Sequence, residues 1–160
     1  MSTKSSNSVV LIGDGPSKSE YIYDPFEKRD IAVVNGAMYS FKGKVDYWYT
    51  LHPTVFFDKH SENIKCRRIG IGPRTRGTSE FEQVTGTRLF PMCGSSSRFA
   101  AEQLLEVEGY EKLYLYGVDL NVRPYKHYRE HWRELIDKHK DKLIDHSIDG
   151  WIQRRIDDTR

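Results

Sequence analysis

Cysteine is scarce: the 160 residues hold two, Cys66 and Cys93. They show neither C-x-x-C spacing nor the density of a disulfide-stapled secreted domain, so a chain of the reducing cytoplasm is expected. Long apolar runs are absent as well. No stretch approaches the roughly 20 apolar residues that a hydrocarbon core demands, and the mean hydropathy of −0.68 agrees, so no membrane span is expected. Neither sign of charge dominates. Lys and Arg number 25 against 23 Asp and Glu, a formal charge of +2, too little to drive nucleic-acid binding through counterion release. Internal repeats, low-complexity tracts and dividing linkers are also missing.

What the chain does have is apolar mass, with 38% hydrophobic and 12% aromatic residues, enough for one core. Residues 1–8 are polar, and the apolar stretch after them is too short for a signal-peptide core. They are read as a flexible tail before a single domain over 9–160.

Val9-Val10-Leu11-Ile12 is a continuous β-branched and aliphatic run stopped by Gly13-Asp14-Gly15-Pro16-Ser17. Ile31-Ala32-Val33-Val34 repeats the pattern and stops at Asn35-Gly36-Ala37. Such runs suit strands buried on both faces of a parallel sheet. Further strands are expected over Val45–Thr50, Arg68–Ile71 and Lys112–Tyr116, with a short helix over Thr54–Glu62 and a long loop over Gly72–Gly86. Ser95-Ser96-Ser97 caps a helix that ends at Gly109. Tyr125, Tyr128, Trp132, Leu135, Ile136, His139 and Leu143 recur at spacings of three and four, the apolar face of one long helix. A last helix is expected over Ser147–Ile156. The fold class is therefore α/β, Rossmann-like, with a mainly parallel sheet and helices on both faces.

Ligands of such sheets bind outside the carboxyl ends of the strands, where turns and helix N-termini offer N–H groups to phosphate. Here those ends hold Gly13 to Ser17, Asn35-Gly36, His52-Pro53, Ser95 to Ser97 and Gly117 to Asp119. Two glycines let backbone approach a ligand, though two glycines and a proline also make an ordinary turn. Capping accounts for one serine of the three, leaving hydroxyls for a ligand. His127 and His131 sit four apart, but Tyr128 follows the first where a zincin needs glutamate, so no metal site is assigned. His139 falls on the apolar face as a packing residue. His146 follows the long helix, where Asp145 or Asp149 could tune it, and a solvated loop histidine is the plainer reading.

Three segments, read in order, carry a family resemblance. VVLIGDGPS (Val9 to Ser17) resembles the opening strand and G-N-G-P-S turn of the sialyltransferases of glycosyltransferase family 42. TLHPTVFFDK (Thr50 to Lys59) is similar to their N-P-S-x-F-F-E segment, and GYEKLYLYGVDL (Gly109 to Leu120) to their G-Y-K-E-I-Y-L-x-G-I-D-F segment. The related flagellin-modification (motility accessory) and archaeal 6-hydroxymethylpterin pyrophosphokinase-like proteins share the pattern. The resemblance implies a Rossmann-like domain that holds a cytidine monophosphate sugar as donor substrate and needs no other cofactor. It places Gly13, Asp14, Gly15, Pro16 and Ser17 around the phosphate, Asn35 and His52 on the nucleotide, and Ser95, Ser96 and Ser97 on the sugar or phosphate, beside Gly117 and Asp119. Tyr125 and Tyr128 would assist the departing phosphate. His146 would be the general base that takes the acceptor hydroxyl's proton, with His127 as the fallback.

The sequence also departs from that family. Asp14 and His52 stand where it has asparagine, and a carboxylate at position 14 repels phosphate unless protonated or bridged by a metal. Its arginine-containing segment and its last strand have no clear counterpart before Arg160. These departures keep open a non-catalytic nucleotide-binding protein, and a metal-dependent phosphotransferase or nucleotide hydrolase built on Asp14 and Asp119. Thr50-Leu51-His52, where the kinase chemistry wants clustered acids, weighs against that last reading. The acceptor, the sugar and any assembly of identical chains stay open.

Overall fold

The two apolar runs that stop at small-residue turns are adjacent strands, β1 (Ser8–Ile12) and β2 (Asp30–Val34), paired in parallel with Val10 beside Ile31. The computed structural model describes residues 4–53, 55–56, 66–71, 81–84, 95–121 and 125–160. Five more strands complete the sheet: β3 (Tyr47–Thr50), β4 (Arg67–Gly70), β5 (Glu82–Gln83), β6 (Lys112–Tyr116) and β7 (Leu143–Asp145). Their order is β5-β4-β3-β2-β1-β6-β7, and every ladder is parallel. The chain leaves β1 toward β2 on one side and returns to β6 on the other. A crevice opens at the carboxyl end of such a reversal.

The faces are covered unevenly. Helix α1 (Ala37–Ser40) lies on one, where Val10, Ile12, Ile31, Val33 and Trp48 pack against Ala37 and Met38. The other carries α2 (Ser96–Glu102), α3 (Arg129–His139) and α4 (Trp151–Asp158), whose Phe99, Trp132, Ile136, Ile152 and Ile156 meet Val9, Leu11, Leu113 and Leu115. A π-helical turn over Gln103–Val107 extends α2 to Gly109, which adopts φ +77°. This is the left-handed stop that the glycine predicts.

Some boundaries differ from the sequence expectation. The expected long helix is three pieces: a 3-10 turn over Tyr125–Tyr128, α3, and a second 3-10 turn over Lys140–Lys142. Leu143 then belongs to β7, its side chain buried like Leu113 and Leu115 on the same sheet face. The strand expected over Val45–Thr50 begins at Tyr47, because Asp46 turns back to accept the Ile31 N–H at 2.8 Å. The expected loop over Gly72–Gly86 contains β5, which pairs with β4. Of the helix expected over Thr54–Glu62, residues 55 and 56 form a turn on the His52 carbonyl, and the remainder lies outside the described residues. Among the described residues, no helix is long and apolar enough to cross a membrane.

Candidate functional site

The turn after β1 is stitched to the turn after β6. The Gly13 N–H donates to the Tyr116 carbonyl at 2.7 Å and the Gly15 N–H to Gly117 at 2.8 Å. Ser17 donates its N–H to Asp119 Oδ2 at 2.7 Å and its hydroxyl to Oδ1 at 2.6 Å. Pro16 has no N–H to offer. The donors that a phosphate would need from Gly13, Gly15 and Ser17 are thus spent on the protein itself, and the turn forms a wall rather than a cradle. Asp14 projects from it in an ion pair with Lys18 at 2.8 Å, so its carboxylate is partly neutralised.

Free donors appear at the start of α2. Ser95 caps the helix, its Oγ accepting the Arg98 N–H at 3.3 Å, while the Ser96 Oγ accepts the Leu51 N–H at 3.1 Å. The N–H groups of Ser96 and Ser97 have no acceptor among the described residues. Arg98, almost fully buried, pairs with Glu102 and donates from Nε to the His131 carbonyl at 2.8 Å, which locks this helix start to α3.

Opposite stands Asn35, at the end of β2 in the left-handed region with φ +50°. Asparagine tolerates that conformation better than most residues. Its Oδ1 accepts the Thr50 hydroxyl at 2.7 Å, and the Thr50 oxygen in turn accepts the His52 N–H at 2.9 Å. That chain fixes the amide with Oδ1 toward Thr50 and leaves Nδ2 as its remaining donor. It also anchors His52, whose side chain is exposed at the rim.

These pieces enclose a cavity of about 110 Å³. Of the residues chosen from sequence, Asp14, Gly15, Asn35, His52, Ser95, Ser96, Ser97, Gly117, Asp119 and Tyr128 form its wall, together with Val34, Val118, Leu120 and Trp132. The last four were not singled out. Three are apolar ends of strands and turns, and Trp132 was readable only as part of the apolar face of α3. The volume suits a phosphate-sized group; whole-ligand pockets run to several hundred Å³.

Other candidates lie elsewhere. Gly13, Pro16 and Ser17 back the wall, and the side chain of Tyr125 is outside the described residues. His127 is exposed, its ring tilted at 49° to that of Tyr128 with the centroids 3.9 Å apart, and it does not line the cavity. Burial, Arg98 and His127 all hold His131 below the usual histidine range. His139 is tucked under α3 and bonds Glu106 at 2.9 Å, as a packing histidine should. His146 does not line the crevice. It stacks on Tyr116 at 5.0 Å between centroids and lies parallel to Tyr114 at 6.1 Å, on the sheet face opposite Leu113 and Leu115. Burial and the nearby Arg29 hold its pKa below the usual histidine value.

Neither expected tuner bonds that ring. Asp149 accepts from the Asn121 and Trp151 N–H groups. Asp145 is buried and accepts from the Ser147 and Gln153 N–H groups. Burial raises its carboxyl from 3.8 to about 6. An acid whose folded pKa is raised favours the folded state while protonated. Its contribution is full below pH 4 and is lost as pH climbs to about 6, a swing of about 3 kcal/mol. Asp145→Asn removes the titration. The difference in urea-unfolding free energy between the two proteins should therefore shift by about 3 kcal/mol in the variant's favour from pH 4 to pH 7.

Compared with models of known protein families, with curated proteins and with solved structures, this chain matches none. The resemblance to the sialyltransferase family rests on the three segments that carry it.

Proposed function

We propose that the crevice binds a nucleotide-activated sugar through its phosphate, and that the protein transfers the sugar from a cytidine monophosphate carrier to a hydroxyl acceptor. One observation carries the reading: at the topological reversal of a parallel sheet, Asn35, Ser96 and Ser97 line a phosphate-sized cavity, and the Ser96 and Ser97 N–H groups have no acceptor among the described residues. Helix starts and backbone N–H groups at that place are suited to oxyanions. Tyr128, on the same wall, can donate to the phosphate as it departs.

Transfer also needs a base. His52 is the one histidine on the cavity wall among the described residues, and the Thr50 hydroxyl pins its backbone. In this reading the acceptor oxygen attacks the anomeric carbon, the bond from that carbon to the phosphate oxygen breaks, and the nucleotide leaves with the electron pair. The acceptor's proton goes to the His52 ring.

A metal-dependent phosphotransferase draws less support. Both oxygens of Asp119 accept from Ser17 and Asp14 Oδ1 is paired with Lys18, which leaves a cation only Asp14 Oδ2 of these four oxygens. The second reading, a nucleotide-binding protein without turnover, is favoured by one observation: His146, the base that the resemblance implies, is stacked away from the cavity.

Thermal unfolding with nucleotides tests the binding step. At a hundred times its Kd, CMP or a CMP-sugar should add about 2.7 kcal/mol of stability. That is a rise of about 5–10 °C in Tm for a chain of this size, unchanged by EDTA. Absence of any shift with cytidine nucleotides, or a shift that requires both Mg²⁺ and a triphosphate, would sink the reading.

A further inference from the structure

The loop that leads into β2 spends its polar groups on itself. The Tyr21 hydroxyl donates to Glu27 at 3.0 Å, and Arg29 donates to the same carboxylate from its backbone N–H, Nε and Nη2. Asp24 closes the turn, its Oδ1 accepting the Phe26 N–H at 2.8 Å and its carbonyl the Glu27 N–H at 2.9 Å. The Tyr21 and Tyr23 rings pack against Phe41, and Pro25 stiffens the tip. Two large apolar side chains are left outside: Ile22 is 84% exposed and Phe26 85%. A lone exposed apolar residue is ordinary, but here two of them share one braced loop with the exposed Tyr23.

Lysines flank that tip. Lys28 and Lys44 line one small cavity with Tyr23, Asp24, Pro25 and Glu27, and Lys42 precedes Gly43, against which the Tyr23 ring lies. All three are exposed, Lys44 keeping 76% of its side chain in water although it reaches Asp46 at 3.4 Å. The carboxylates of the same segments lie mostly inward. Glu27 is clamped by Arg29, Asp30 is buried, and Asp46 accepts the Ile31 N–H. Glu20 and Asp24 are the exposed acids of this stretch, so three exposed lysines face two exposed carboxylates.

We infer that this loop docks the protein on an anionic lipid surface, with Ile22 and Phe26 entering the interface and Lys28, Lys42 and Lys44 at the level of the headgroups. A projecting tip offers a rigid partner no groove to fill, whereas a bilayer closes around it. Apolar side chains beside lysines supply the two attractions that interfacial anchors combine. The inference is independent of what the crevice binds. The loop precedes β2, and Lys42 and Lys44 precede β3, so the docking end is the amino end of the sheet. The crevice opens at the carboxyl end, about 16 Å further along β2. A docked chain therefore holds its crevice toward water.

Sedimentation of the whole chain with vesicles tests the inference. Phosphatidylcholine vesicles with one third phosphatidylserine should carry it down with an association constant of about 10⁴ M⁻¹, comparable with a single acyl anchor. Pure phosphatidylcholine should hold it about a hundredfold less, since each lysine near an anionic surface is worth about fivefold. High salt should release it. Ile22→Ser and Phe26→Ser should each weaken binding about tenfold or more and leave Tm unchanged. Phe26→Trp reads insertion: brominated lipid should quench the new indole, while the parent, whose Trp48 and Trp132 are fully buried, keeps its emission.

Failure to bind phosphatidylserine vesicles overturns the inference. So does binding that the double variant Ile22→Ser, Phe26→Ser retains, or that leaves the Phe26→Trp indole unquenched. A chain that ignores vesicles but forms a dimer lost in Phe26→Ser assigns the loop to a second copy and overturns it too. Should the double variant misfold, the single variants decide.

Discussion

Replacing His52 by alanine should lower kcat of the proposed sugar transfer by about 10²-fold or more, while CMP affinity changes by less than about threefold and His146→Ala stays within about twofold of the parent. The difference follows from where the two rings sit. His52 is at the crevice rim, its backbone held by the chain of hydrogen bonds from Asn35 through Thr50. His146 is clasped between aromatic rings on the far face of the sheet, under the influence of Arg29. A base contributes only where it reaches the proton, so the rate should follow His52. A large loss in His146→Ala with a silent His52→Ala would return the base to the position that the resemblance implies.

Gly15→Ala should unfold the site. A methyl group at residue 15 would lie 2.5 Å from both Asp119 Oδ2 and the Gly117 carbonyl oxygen. Neither atom can retreat without breaking the hydrogen bonds from Ser17 and Gly15 that join the two turns. Overpacking and a buried carboxylate stripped of a donor together cost about 2–4 kcal/mol, a fall of about 5–15 °C in Tm. The CMP-induced shift should vanish as well, because the displaced turn narrows the cavity. Gly109→Ala is the control. A methyl group there meets nothing within 4 Å, so only the left-handed backbone opposes it, at about 1–2 kcal/mol. Equal stabilities of the two variants would mean that the turns do not approach as described.

The sequence is most readable where one physical cause dominates. Val9 to Ile12 and Ile31 to Val34 lie between covered layers, which tolerate only apolar side chains, and their ends are the residues that build the crevice. Ser95 and Gly109 bracket the helix because one satisfies a free N–H and the other adopts the left-handed stop. Where two patterns coincide the reading fails. Leu143 follows His139 by four residues and continues a helical spacing with no proline or glycine to interrupt it, yet it starts β7. That short strand decides the site, because its alternation sends His146 to the face of Tyr114 and Tyr116. The spent donors of the Gly13 to Ser17 turn are equally silent in sequence, since their acceptors lie on a turn about a hundred residues away.

The parallel ladders also shape how the chain must assemble. Val9 sits between Asp30 on one side and Leu113 on the other, and among the described residues no strand pair is a hairpin. Closing distant segments costs chain entropy before any pairing repays it, so folding should be slow for a domain of this size. During synthesis the central strand can pair with β2 early, but its other edge stays open until residues 112–116 leave the ribosome. The crevice is shut by the last join made at the middle of the sheet, which leaves a half-made chain with an exposed β1 edge and no crevice.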